Sequence, residues 1–367
     1  MSTFEQHHEN HPVHHKFGIT NVNIFDGESF QKGTIIIDGG KIGGDREGAE
    51  MIDGTGKFLI PGLIDAHIHL EDEGNLKQLA AFGVTTAMDM GTWPAPKVDA
   101  LRGRAGLTDI RSAGRPATAP GTMHSRDLPG LGDETVSNPA EAEAFVVNRD
   151  KEGSDFIKVL ADIPGPDQST LNALISAAHA YGKLTVAHAA HFAPFHMALE
   201  AKADFITHAP LDQALDDAAV TRMVDDKRIS IPTLTMMKGI FEKLGPPADY
   251  LQSQASVNAL YKAGVPILAG SDANAGEGTP LKVSHGDSLH LELKLLVAAG
   301  MSPLDALRGA TVLPAKYFQL EDRGSIAEGL RADLVLLSAN PLEDIRATRR
   351  IERVWICGTK YLVRLIL

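Results

Sequence analysis

Between residues 62 and 273, short apolar runs alternate with longer stretches of helical periodicity, and this rhythm restricts the fold more than any other feature of the chain. Parallel strands need a crossover between them, and a helix is the usual one, so repeated βα units point to a parallel sheet. Eight candidate strands can be marked, at 62–70, 85–90, 116–120, 155–161, 184–189, 204–210, 228–235 and 266–273. Between the fourth and fifth, Leu171, Leu174, Ile175 and Ala178 fall at helical spacing and form one apolar stripe. Eight such units in about 250 residues match the size of a closed barrel, although a doubly wound open sheet would need similar strands.

The flanks follow another pattern. Residues 17–59 read as short alternating segments split by turn signals, and residues 332–337 and 351–362 read as further strands. Two β pieces at opposite ends of the chain suggest one small sheet domain built from both. Residues 1–16 carry His7, His8, His11, His14 and His15 with no apolar run, and are expected to be a disordered polar arm rather than a signal peptide.

Charge and cysteine content narrow the chemistry. With 47 acidic and 35 basic side chains the net charge is −12, which argues against nucleic acid as a partner. No run approaches the ~20 apolar residues of a membrane span. A cytoplasmic homo-oligomer acting on a small molecule is the expectation. One cysteine, Cys357, excludes an internal disulfide and a thiolate metal site, so any metal must be held by imidazole and carboxylate.

Suitable groups lie at the ends of the candidate strands, where barrel enzymes carry their working side chains. His67 and His69 close the first strand two residues apart, so both face one side. His188, His208 and Asp272 close the fifth, sixth and eighth, and Lys158 sits inside the apolar fourth. One histidine at a strand end is usually a hydrogen-bonded core residue, but five ligand-bearing ends together suit zinc or a similar divalent ion. A lysine desolvated among Phe156, Ile157, Val159 and Leu160 has its pKa lowered. Its neutral amine can add carbon dioxide, and the resulting carbamate is an anionic oxygen ligand able to bridge two ions.

These residues resemble the amidohydrolase superfamily. Phe58-Leu-Ile-Pro-Gly-Leu-Ile-Asp-Ala-His-Ile-His69 is similar to that family's approach to its barrel, and Asp155-Phe-Ile-Lys158 to its carboxylated-lysine strand. Pro303-Leu-Asp-Ala-Leu-Arg-Gly-Ala-Thr311 and Gly324-Ser-Ile-Ala-Glu-Gly-Leu-Arg-Ala-Asp-Leu-Val335 resemble its return to the sheet domain. With His285-Gly-Asp-Ser-Leu-His-Leu-Glu-Leu, the resemblance leans to the imidazolonepropionase-like and Xaa-Pro dipeptidase-like branch. One departure is local: Val159-Leu-Ala-Asp-Ile-Pro-Gly165 replaces a Ser/Thr-Gly-Gly turn.

The resemblance implies an α/β fold, a (β/α)8 TIM-type barrel over residues 61–321, with a small β-sandwich from 17–60 plus 322–367. It implies two divalent ions, zinc being the expectation, one held by His67, His69 and Asp272 and the other by His188 and His208, with Lys158 bridging as a carbamate. The implied reaction is hydrolysis of an amide C–N bond, as in a dipeptide or N-acyl amino acid, by a bridging hydroxide with Asp272 as proton carrier. His124, His285 and Trp93 are candidate substrate contacts, His179 and His196 read as structural, and His191 and His290 are unassigned. Rival readings are a lactonase, esterase or phosphotriesterase on the same site, a single-metal deaminase or decarboxylase, and a non-catalytic protein on this fold.

Overall fold

The structure is a computed structural model that describes residues 16–361; the histidine-rich stretch of the first fifteen lies outside them. It is an α/β protein. Both chain ends contribute to one mixed eight-stranded sheet, in the order Thr359–Tyr361, Ile351–Ile356, Leu334–Leu337, Phe58–Pro61, Phe17–Phe25, Phe30–Asp38, Lys41–Ile42, with Glu50–Asp53 pairing in parallel with Phe17–Phe25. The sequence pointed to one small sheet domain from both ends, and hydrogen bonding does link all these strands into a single sheet. That sheet bends over its own core, because Phe17 stacks at 5.3 Å on Trp355 from a strand three places away.

The central strands are shorter than the apolar runs that announce them. Leu63–Ile68, Val84–Asp89 and Asp109–Ser112 form one parallel sheet, and Ile157–Leu160, Thr185–His188, Phe205–Thr207 and Ile229–Ser230 another. The third strand was expected at 116–120. It lies instead at Asp109–Ser112, since Pro116 has no N–H to give a ladder; only Ala117 from the expected run pairs, with Val159. Residues 266–273 make no regular strand but pair at Ile267 with Ser230 and at Ala273 with Ile68. Single bridges, Ala117 with Val159, Ser230 with Ile267 and Ile68 with Ala273, are what connect the two parallel sheets and the last stretch.

A buried cluster draws one or two residues from each stretch: Ile64 and Ala66, Met88, Ala113, Phe156, Val186, Phe205, Ile229 and Leu268. Phe318, just beyond the helix Val312–Tyr317, belongs to this cluster and stacks on Phe205 at 4.4 Å. Gly270 lets the last stretch approach the first, since a Cβ there would lie 2.8 Å from His67 Cβ and 2.6 Å from Ile231 Cγ2. The stripe Leu171, Leu174, Ile175 and Ala178 is buried on the helix Gln168–Ala180, which starts where Asp167 accepts from Thr170 N–H. No helix among the described residues is long and apolar enough to cross a membrane.

Candidate metal centre

The strand Leu63–Ile68 carries a register shift between Asp65 and Ile68. Ile64 and Ala66 therefore face the inner cluster, while Ile68 and Leu70 face the outer core, which leaves His67 and His69 at the open end of the strands. Asp65, fully buried, takes hydrogen bonds from Ser271 N–H at 2.9 Å, Ser271 Oγ at 2.6 Å and His67 N–H at 3.2 Å. Burial pushes its carboxyl up to about 7 against those donors. The three bonds fix His67 relative to the residue before Asp272.

Outer partners set the imidazole orientations. His69 Nδ1 lies 3.3 Å from the Gly91 carbonyl, which can only accept, so a proton sits on Nδ1 and Nε2 is the nitrogen left to face Asp272. His67 Nδ1 meets Thr207 Oγ1 at 3.0 Å. The two Nε2 atoms converge on Asp272 Oδ1, at 3.4 Å from His67 and 3.3 Å from His69. Asp272 holds a left-handed backbone at φ 55°, a conformation costly for a non-glycine residue, and its N–H donates to the His67 carbonyl at 2.8 Å. Burial, then the charge of Lys158 and neighbouring imidazoles, drives His67 well below the usual histidine range. For His69 burial acts the same way, but the hydrogen bond and charge of Asp272 outweigh it and raise the ring.

Opposite stand His208 and His188. His208 Nδ1 is held by the Thr233 hydroxyl, and its Nε2 faces His188 Nδ1 at 2.9 Å. Thr233 is itself left-handed at φ 48° and precedes the helix Leu234–Leu244, whose first N–H groups are taken by buried Glu292, at 2.9 Å from Leu234 and 2.7 Å from Thr235. His188 Nε2 lies 3.3 Å from Asp162 Oδ1, and the other oxygen of Asp162 is 2.7 Å from His124 Nδ1. Burial works against the Asp162 carboxylate, yet His188 and His124 hold it well below the usual range. Burial lowers both His188 and His208.

Lys158, within Ile157–Leu160, is 2% exposed, and its Nζ has no hydrogen-bond partner among the described residues. Burial drops it to about 7, with Asp272 and Asp162 opposing. A buried orphan amine inside a cage of imidazole and carboxylate is what a site would show if that nitrogen were normally converted to an anionic ligand. The donors fit divalent ions, with nitrogen and oxygen atoms only and lone pairs turned inward by outer partners.

Six expected ligands thus come together, grouped differently from the expectation. His67, His208 and Asp272 have ligand atoms within 4.8 Å of one another, and so do His124, Asp162 and His188. Asp162 was overlooked; its one signal was the Val159–Gly165 departure from the family's turn. His124 and Trp93 line the cavity over the centre, and Trp93 Nε1 donates to the Pro129 carbonyl at 3.1 Å. His285, expected at the substrate, is buried with Nε2 2.7 Å from the His69 carbonyl and forms no part of the cavity wall, because that carbonyl is its acceptor. His179 and His196 sit on outer helices near Asp204 and Asp216. His191 is exposed at the cavity mouth, and His290 is buried elsewhere, between Thr348 Oγ1 and the Phe82 carbonyl.

The model of the amidohydrolase family matches residues 58–360. An adenine deaminase of Methylobacterium sp. (strain 4-46) is 26% identical over 312 residues, covering 80% of this chain and 49% of the relative. The chain thus spans about half the length of the curated relatives it matches. Among solved structures, a Xaa-Pro dipeptidase with methionine in its active site is similar with TM-score 0.81 and 24% identity, over 94% of this chain and 99% of the other. A putative prolidase from Bifidobacterium longum gives TM-score 0.80 and 26% identity, over 95% of each chain. The chain belongs to the amidohydrolase family.

Proposed function

We propose that this chain is a binuclear metal-dependent hydrolase that cleaves an amide C–N bond of a small molecule. The observation that carries the reading is Lys158 Nζ, buried and without a partner among His67, His69, His188, His208 and Asp272. On this reading the central stretches form a (β/α)8 barrel over 61–321, with 17–60 and 322–361 forming a sandwich-like domain beside it. His67, His69, His188, His208 and Asp272 would hold zinc-type ions there, with Lys158, once converted to a carbamate, as a further anionic ligand.

Divalent ions held there would supply Lewis acidity and a nucleophile at neutral pH. The chain's own groups do the rest. Asp272, fixed by its backbone bond to His67, accepts a proton from the attacking water as the C–O bond forms. It then returns that proton to the leaving nitrogen as the C–N bond breaks, so charge balances over the cycle. Gly91 and Thr207 keep His69 and His67 in orientation, and Asp162 does the same for His188 while holding His124 at the edge of the cavity.

Metal analysis beside activity tests this. Lys158→Ala should lose one ion per chain and most turnover; two ions with full activity would exclude the carbamate ligand. Asp272→Asn should keep the fold while turnover falls roughly 10²–10⁴-fold, the usual weight of a general acid–base group. A second reading, deamination of an adenine-like ring with one ion, is favoured by the deaminase relatives. Ammonia release from adenine by protein carrying a single ion would select it.

A further inference from the structure

We infer that the substrate of this centre is an uncharged, largely apolar amide with no carboxylate beside the scissile bond, an inference that rests on the amide-hydrolase reading. The cavity above the centre encloses ≈ 820 Å³, ample for a molecule of drug size. Its walls include Trp93, Leu128, Leu211, Met236, Met237 and Ile240. Two adjacent methionines give a surface that adapts to irregular apolar shapes.

Recognition of a carboxylate beside the scissile bond would require a cation or a convergent set of donors, and among the described residues the only uncommitted basic side chain lining the cavity is His191, exposed at its mouth. Among the described residues no arginine and no tyrosine lines it. Of its two lysines, Lys158 lies inside the ligand cage and Lys97 is bound to Glu71 at 3.0 Å. His124 is committed to Asp162 at 2.7 Å. Arg115 lies against the Trp93 ring with its guanidinium carbon 5.9 Å from the centroid; it donates to the Gly130 carbonyl and takes no part in the wall.

The mouth adds repulsion. Asp212 and Glu277 are exposed on its rim, Glu71 is paired with Lys97, and among the described residues His191 is the one basic group left there. An anionic group beside the scissile bond would pass the carboxylates of Asp212 and Glu277 and then give up its water along a wall of methionine and leucine side chains that offer its charge no partner. A neutral substrate meets neither obstacle and gains from burying apolar surface along the same wall.

Matched pairs that share one scissile bond test this on the zinc-loaded protein. N-benzoyl-2-phenylethylamine and N-benzoylphenylalanine differ only by the carboxylate. The neutral compound should be favoured at least tenfold, in kcat/KM where it is cleaved and in calorimetric Kd where it is not. Met237→Arg, which places a cation on the wall, should narrow or invert that ratio. Equal or better use of the carboxylate compound by the wild-type protein would overturn the inference, as would absence of binding by both. If the neutral compound binds tenfold tighter and no amide is cleaved, the preference for uncharged apolar ligands stands and the amide-hydrolase reading falls.

Discussion

Asp162 shows how a single side chain can decide the state of a ligand it only touches. By taking the proton-bearing Nε2 of His188, it leaves Nδ1 of that ring to face His208. An amide in its place can turn a donor toward Nε2, so Asp162→Asn should weaken metal affinity roughly 10–100-fold with the fold intact. Competition against a chromophoric chelator reads this directly, and unchanged affinity would remove Asp162 from the site. The sequence makes His67, His69, Lys158, His188, His208 and Asp272 legible because each closes or occupies an apolar strand, where its chemistry looks out of place. Asp162 has no such contrast. It stands in a polar loop, and its meaning comes from His124 and His188, which other loops bring to it.

Among the elements, the helix Asp287–Ala298 does the most to join the site to the rest of the molecule. Glu292 caps the neighbouring helix beside Thr233 and hence beside His208, while His290 joins Thr348 to the Phe82 carbonyl. His290 enters the fold uncharged, and burial lowers it from 6.5 to about 4. The unfolded chain therefore binds a proton below pH 6.5 that the folded chain refuses until about pH 4. Stability falls as pH drops through that window, by up to about 3 kcal/mol from this group. His290→Asn should be less stable at pH 8 and show a shallower loss between pH 6.5 and 4, measured as melting temperature against pH beside the wild type. Parallel curves would assign the acid sensitivity elsewhere. The existence and order of the βα units are legible from periodicity, but their bounds are not. Pro116 moves one strand back along the chain, and Pro232 with left-handed Thr233 ends another after Ser230. Backbone geometry decided those positions where apolar content did not.

At the scale of the whole molecule, ligands from distant parts of the chain share one centre, so ions held there tie the strands to each other. Binding only to the folded state adds stability by mass action, roughly 3 kcal/mol at a hundredfold excess over Kd. Dialysis against a chelator should lower the melting temperature, and zinc should restore it; a melting temperature indifferent to both would speak against resident metal.

The bond between Asp65 and Ser271 also has a meaning in time. Its ends are 206 residues apart. At roughly 5–20 residues per second, a ribosome needs about 10–40 s to cover that distance. Throughout that interval His67 and His69 exist without Asp272, and the carboxyl of Asp65 has no hydroxyl to receive. Chains arrested before Ser271 should retain no metal through gel filtration, whereas chains extended past Asn274 and released should. Loading of the centre would then be a late event of biosynthesis, gated by the arrival of residues 266–273.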